Sequence, residues 1–349
     1  MESKLAVCPF CSLHCDDVVF GPMEFGAMES VKCLRANDAF KEVQKTSPLG
    51  RIGTEVAEPK DVVKYAVQRF EEKGPLNVAT VGTDLETARA LQSLAANGEI
   101  RLWLDDFPSA VAWRLATSRD GIVSATIGDI RRHADVVWMI GDVSSGHPRI
   151  AERIRLDAKI GLETSTLDAE TLADLYYDLR HGGEGHVVKP IREAKYLAIV
   201  LGCDAFSESQ AIPIAELLVK MVWFLNQTKR AVALQLDGSA TNRAVAAWQT
   251  NCGLSSLSAQ TRRDWNVDVR IGDAFQKKVP VELQIGGCDP GRQSAQAFLP
   301  AATVGVDRAG VIMRGDSAVT MPLARIVERR GVETAPDILN RILGSRPST

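Results

Sequence analysis

Long apolar runs are missing from this 349-residue sequence. The richest stretch, 212–225, is broken by Glu216 and Lys220, and a bilayer-spanning helix takes about 18 or more apolar residues in a row. A basic surplus is missing too. The net charge of −3 and the pI of ≈ 6.0 exclude the electrostatic footprint of a nucleic-acid binder. The opening residues show neither the charged n-region nor the apolar h-region of a secretory signal, so the expected compartment is the cytoplasm, where disulfides are rare. No Gly-x-Gly-x-x-Gly follows a strand, and no phosphate loop ends in Gly-Lys-Ser/Thr. None of the five histidines forms a helical i, i+4 pair or sits in a zincin pattern. No nucleophile elbow or catalytic triad can be read from the order of residues. What is left, at 45% hydrophobic and 24% charged residues, is an ordinary globular chain long enough for two domains.

Cysteine is scarce in the middle of the chain and dense at its start. Four of the seven lie in the first 33 positions, as Cys8-Pro-Phe-Cys11-Ser-Leu-His-Cys15-Asp-Asp with Cys33 beyond, and none occurs between Cys33 and Cys203. Thiolates are soft ligands, and four brought together hold an iron–sulfur cluster or a tetrahedral zinc. The spacing C-x2-C-x3-C places three sulfurs on one tight loop, which Cys33 must return to close. The site can also be an empty remnant, a small packed cluster of thiols. His14 serves as a spacer within it. Cys203, Cys252 and Cys288 read as small buried hydrophobes, and the Arg262-Arg-Asp-Trp265 stretch as a solvated turn with one buried Trp.

Beyond Cys33, the segment to about Pro59 has Pro48, Gly50 and Gly53 and little periodicity, and reads as a linker. Helices and strands then alternate. Helices are predicted over 61–73, 85–96, 109–119, 149–159, 168–179, 212–226, 242–250 and 337–343. Strands are predicted over 76–82, 100–104, 135–141, 196–202, 231–236, 279–285 and 302–306. Buried-type strands separated by helices imply a parallel sheet covered on both faces. A boundary in the glycine-bearing 181–195 loop divides the chain into a cysteine lobe and linker (1–59), a first α/β lobe (60–190) and a second (191–349). The turn from Gly141 to His147 follows a strong strand, at the carboxyl end where ligands of parallel sheets sit. It can cradle a phosphate or pterin, or be a plain strand-to-helix turn with Ser145 or His147 near the cap.

Four stretches carry a resemblance. They are Cys8-Pro-Phe-Cys11-x3-Cys15-Asp-Asp; Gly128-Asp-Ile-Arg-Arg-His-Ala134-Asp-Val-Val137 running to Gly141 and His147-Pro-Arg149; Trp248-Gln-Thr250; and Gly310-Val-Ile-Met-Arg314-x-Asp316 leading to Pro322-Leu. Together they resemble the B-type component of formylmethanofuran dehydrogenase, a relative of the molybdopterin and tungstopterin oxidoreductases. The resemblance implies an α/β fold of the formate dehydrogenase/DMSO reductase type with a small N-terminal cysteine lobe. It also implies a [4Fe–4S] cluster on Cys8, Cys11, Cys15 and Cys33, with zinc or an empty site as alternatives. In that family a further cysteine or selenocysteine ligates molybdenum or tungsten between the 100–104 strand and the next helix. Here that place falls at Ser109, a far poorer ligand for such metals than a thiolate, so no molybdopterin or tungstopterin is expected. Ser109, Gly141 and His147 mark the vestigial pterin site.

That pattern of loss is similar to the B-type component of the formyltransferase/hydrolase complexes of methylotrophic bacteria. Such complexes move a formyl group from formyl-tetrahydromethanopterin to a methanofuran-type carrier and hydrolyse it to formate. The resemblance implies a degenerate, non-catalytic component working with hydrolase (A-type), C-type and formyltransferase (D-type) partners, near the carrier's path and away from nucleic acid and membrane. The alternative is an active molybdo- or tungstopterin dehydrogenase component with an unusual ligand.

Overall fold

The computed structural model describes residues 4–20, 33–45, 47–251, 253, 266–272, 280–327 and 331–345. Strands β1 (Lys4–Ala6) and β2 (Val18–Phe20) pair antiparallel and carry the cysteine loop between them. A helix, Leu34–Lys45, follows Cys33, and β3 (Gly50–Ile52) and β4 (Glu55–Ala57) form a hairpin. The expected linker is therefore structured. Ala36, Phe40 and Val43 recur on one face of the helix and are buried against the cysteine loop and the sheet beneath it, a helical period that the surrounding polar residues disguise.

Strands β5 (Leu76–Thr80) and β6 (Ile100–Leu104) come next, then β7 (Val136–Ile140), β8 (Ile160–Thr164), β9 (Tyr196–Leu201) and β10 (Arg230–Gln235). The last four form a wholly parallel sheet in the order β10-β9-β7-β8. Both of its faces are buried, and the side chains alternate between them. Trp138, Leu197, Ile199 and Ala231 meet the helices Pro108–Asp120, Ala169–His181 and Ala211–Leu225. Val137, Met139, Ala198, Val200 and Val232 meet Cys8, Leu13, Cys15 and Phe40. The cysteine lobe, together with the short helices Ile127–His133 and Ile150–Ile154, thus makes one of the two layers covering this sheet.

The chain then returns to the first sheet through β11 (Val269–Ile271), β12 (Val281–Ile285) and β13 (Ala295–Leu299), completing the order β4-β3-β13-β12-β11-β5-β6. This sheet is parallel except where the β3–β4 hairpin joins β13. Helices Pro59–Phe70, Leu85–Ala96 and Ala335–Gly344 cover one face. A short ribbon, β14 (Gly310–Met313) with β15 (Thr320–Leu323), packs Ile312 and Leu323 on Val7.

The parallel-sheet α/β expectation agrees with this architecture. The expected boundary near 190 does not: β7 and β9 are paired neighbours on either side of it. One sheet and its helices, about 108–250, are inserted between β6 and β11 of the other, so lobes and sequence halves do not coincide. The last predicted strand moves as well. Residues 302–306 run in a turn carrying the isolated Val304↔Arg308 bridge, and the strand is β13 just before it. The 149–159 helix shortens to Ile150–Ile154, because Arg155 turns to φ +54°; Leu156–Ala158 make a single 3-10 turn, and β8 follows at Ile160. Cys252, the 262–265 stretch and residue 279 lie outside the described residues.

Candidate functional site

In a parallel sheet the loops leaving the carboxyl ends of the strands share one edge, and here those edges from both sheets face each other. The sheets touch at two glycines. A Cβ on Gly82, after β5, would stand 2.0 Å from the carbonyl oxygen of Gly238, after β10. Around this contact opens a cleft of ≈ 370 Å³, walled by Asp106 and Phe107 after β6, Ser145–His147 beyond β7, Gly202 and Cys203 after β9, and the cysteine loop from Pro9 to His14. A second cavity of ≈ 390 Å³ continues along the ends of β11, β12 and β13, and shares Phe10, Arg35, Gly82 and Ile312 with the first.

Three of the stretches singled out in the sequence meet here. Arg149 donates to both carboxylate oxygens of Asp17 at 2.7 and 2.6 Å, which holds that carboxyl below its usual range. The Gly315 N–H donates to the Ser12 carbonyl at 2.8 Å, and the Ile127 N–H to Asp316 Oδ2 at 3.0 Å. Bidentate Arg–carboxylate geometry fixes orientation as well as distance.

The result at the centre is a hydrogen bond of 2.7 Å between Ser12 Oγ and His147 Nε2, two residues 135 positions apart. Arg35 secures both of their loops: Nε donates to the Phe10 carbonyl at 3.1 Å and Nη1 to the Gly146 carbonyl at 3.0 Å. Burial, with the Arg35 charge second, pushes the His147 imidazole down to about 4. It is therefore neutral near pH 7, and in the tautomer that carries its proton on Nδ1 the Nε2 atom accepts from the Ser12 hydroxyl. His14, whose Nδ1 lies 3.1 Å from the Cys8 carbonyl, is pushed down to about 4 by burial as well.

The expected site residues part company. His147 lines the cleft. Ser109 is buried, and its hydroxyl donates to the Phe206 carbonyl at 3.3 Å and accepts from the Phe206 N–H at 3.1 Å. Its neighbour Ala110 faces the cleft instead. Gly141 is a packing glycine: at φ +76°, a Cβ there would lie 2.6 Å from Asp204 Oδ1 and 2.8 Å from the Ala205 nitrogen. Sequence reasoning missed Ser12, treated as filler between ligands, and Arg35, placed in a linker. It also took Cys203 for a buried hydrophobe, whereas the side chain is half-buried at the cleft wall.

Cys8, Cys15 and Cys33 are buried in the core beneath the four-stranded sheet, and Cys11 packs against it half-buried. Burial is the main cause that pushes the Cys8 thiol up to about 12 and the Cys15 thiol up to about 11, and mutual repulsion adds to it. Cys11 is raised likewise, against the pull of Arg35. The donor type suits zinc or an iron–sulfur cluster, but the placement does not. Among the described residues no group of three or more Cys, His, Asp or Glu side chains is arranged to hold a metal ion.

No family model matches the chain, and no curated protein matches it in sequence. Solved structures do. A chain of the formyltransferase/hydrolase complex (FhcABCD) from Methylorubrum extorquens, crystallised with methylofuran, superposes with a TM-score of 0.64 at 18% identity, covering 84% of this chain and 98% of that one. The chain shares the fold of a component of that complex over nearly the component's whole length. Unliganded arylmalonate decarboxylase aligns over 50% of the chain at 12% identity with a TM-score of 0.17, too low to indicate a common fold. No helix among the described residues is long and apolar enough to cross a membrane.

Proposed function

We propose that the chain is a degenerate, redox-inactive B-type component of a cytoplasmic formyltransferase/hydrolase-type assembly. In this reading, hydrolase, C-type and formyltransferase partners process formyl-tetrahydromethanopterin to formate through a methanofuran-type carrier. This chain holds them together and lines part of the carrier's path. The observation that carries the reading is the near-complete superposition on a chain of such a complex, and the four sequence stretches agree with it. Ser109 supports the loss of redox chemistry, because its buried hydroxyl bonds the N–H and C=O of Phe206 and the residue is not part of the cleft wall, where its neighbour Ala110 stands instead. A structural cluster or zinc at the cysteine loop would require the thiols to shift from their present placement.

Co-expression with and without hydrolase- and transferase-type partners tests the reading. A large particle that hydrolyses the formyl carrier, with no molybdenum or tungsten by elemental analysis, is the expected outcome. Stoichiometric tungsten or molybdenum, or a monomer that oxidises the carrier unaided, would overturn it. Iron, zinc and sulfide analysis of the same particle reports on the cysteine loop.

A further inference from the structure

We infer that the cleft carries a nucleophile–base pair of its own, Ser12 and His147, able to take a short acyl group as an ester on Ser12 Oγ and pass it to water. This stands apart from the assembly reading and does not need partners.

The parts of an acyl-transfer site are present in their mutual roles. The nucleophile and base are in hydrogen-bond contact at 2.7 Å. The loop that carries the imidazole is fixed by the His147 N–H, which donates to the Val143 carbonyl at 3.0 Å, and by Arg35 on the Gly146 carbonyl. Both side chains line a cavity of ≈ 370 Å³ at the carboxyl ends of parallel strands. Arg35 lines the same cavity, with its guanidinium held by two neutral carbonyls and paired with no carboxylate among the described residues. A cation held in that way offers its charge to the oxyanion that forms when a carbonyl is attacked.

A bare structural pin between two loops would explain the Ser12–His147 bond alone. It would not explain why the pair faces a cavity, nor why a cation with no carboxylate partner among the described residues faces it too, while the Asp106 and Asp237 carboxylates on the same wall are paired with Arg114 and Arg243. Arg35 also fixes the carbonyls of Phe10 and Gly146, close before Ser12 and His147, so one residue both sets the pair's geometry and charges its surroundings.

In the first step the Ser12 Oγ–acyl carbon bond forms and the bond from that carbon to the leaving oxygen breaks. The serine proton moves to His147 Nε2 and on to the leaving oxygen. In the second, water attacks the acyl carbon, the carbon–Oγ bond breaks, and His147 relays a water proton back to Ser12. The products are an alcohol and a short carboxylic acid.

The test uses the full chain and p-nitrophenyl acetate, with p-nitrophenolate release followed optically and the acetyl group located by peptide mass spectrometry. The expected result is a burst and an acetyl group on Ser12. Ser12→Ala should abolish it, and Ser12→Cys, which keeps a nucleophile, should restore an acyl-enzyme. Loss of the base in His147→Gln should slow acylation about 100-fold, and Arg35→Met, which removes the cation and the donors to the Phe10 and Gly146 carbonyls, should slow it too. Should a variant fail to fold, the adduct position in the unaltered chain still decides. Acetylation mapping to Cys11 or Cys203 would overturn the assignment. So would an equal rate in His147→Gln, or no adduct on a folded chain.

Discussion

Ser109 and the two cleft histidines show how much a single side chain is set by its surroundings. The Ser109 hydroxyl serves both the N–H and the C=O of Phe206 inside the protein. Ser109→Ala leaves those groups unsatisfied and should cost about 1–3 kcal/mol, read as a fall in denaturant midpoint, while the metal content stays as it was. His14 and His147 have folded-state pKa values lowered from 6.5 to about 4. The unfolded chain therefore takes up their protons at higher pH than the folded one. Their contribution is complete above pH 6.5 and drains away as pH falls towards 4. At pH 5 each should cost about 2 kcal/mol relative to pH 7. Urea melts at both pH values, repeated on His14→Gln, check this; an unchanged difference between the two pH values in the variant would show that burial does not hold His14 neutral.

At the scale of elements, legibility in the sequence followed burial. Strands buried on both faces, such as Val136–Ile140 and Tyr196–Leu201, are continuous apolar runs and stand out without help. The Leu34–Lys45 helix does not, because its mean composition is polar and its buried stripe is only Ala36, Phe40 and Val43. β8 was hidden for the opposite reason: as an edge strand it exposes Ile160, Gly161 and Glu163 and carries little apolar signal. The helix matters beyond its size, since Arg35 rides on it. Phe40 is 3% exposed and meets Phe10 edge-to-face at 6.5 Å. Phe40→Ala should destabilise this layer by about 3–4 kcal/mol. Hydrogen exchange should then rise first in 4–20 and 34–45, before the sheets. Loss of protection spread evenly over both sheets would mean the cysteine lobe does not open as a unit.

For the whole molecule, the inserted lobe explains both what was readable and what was not. The cysteine loop, the 128–149 stretch and the 310–316 stretch were each visible as motifs. Their convergence was not, because it depends on the chain leaving one sheet, building another and coming back; the pairing of Ser12 with His147 exists only after that closure. The same topology leaves the β3–β4 hairpin at one edge of the larger sheet, with Val56 72% exposed on β4. Leu49 lies beside it, and the end of the Leu34–Lys45 helix, at Glu42 and Lys45, borders the same recess as Val56. An apolar side chain on an open strand edge invites pairing with another chain, and if the chain works within an assembly this edge is where a partner is expected to cover it. Val56→Lys places a charge there without touching either core. The isolated variant should aggregate less than the unaltered chain in light scattering, and when co-expressed it should be recovered less in the large particle. Unchanged assembly together with unchanged aggregation would mean that the edge is solvent-facing in the working state, and that the interface lies elsewhere on the molecule.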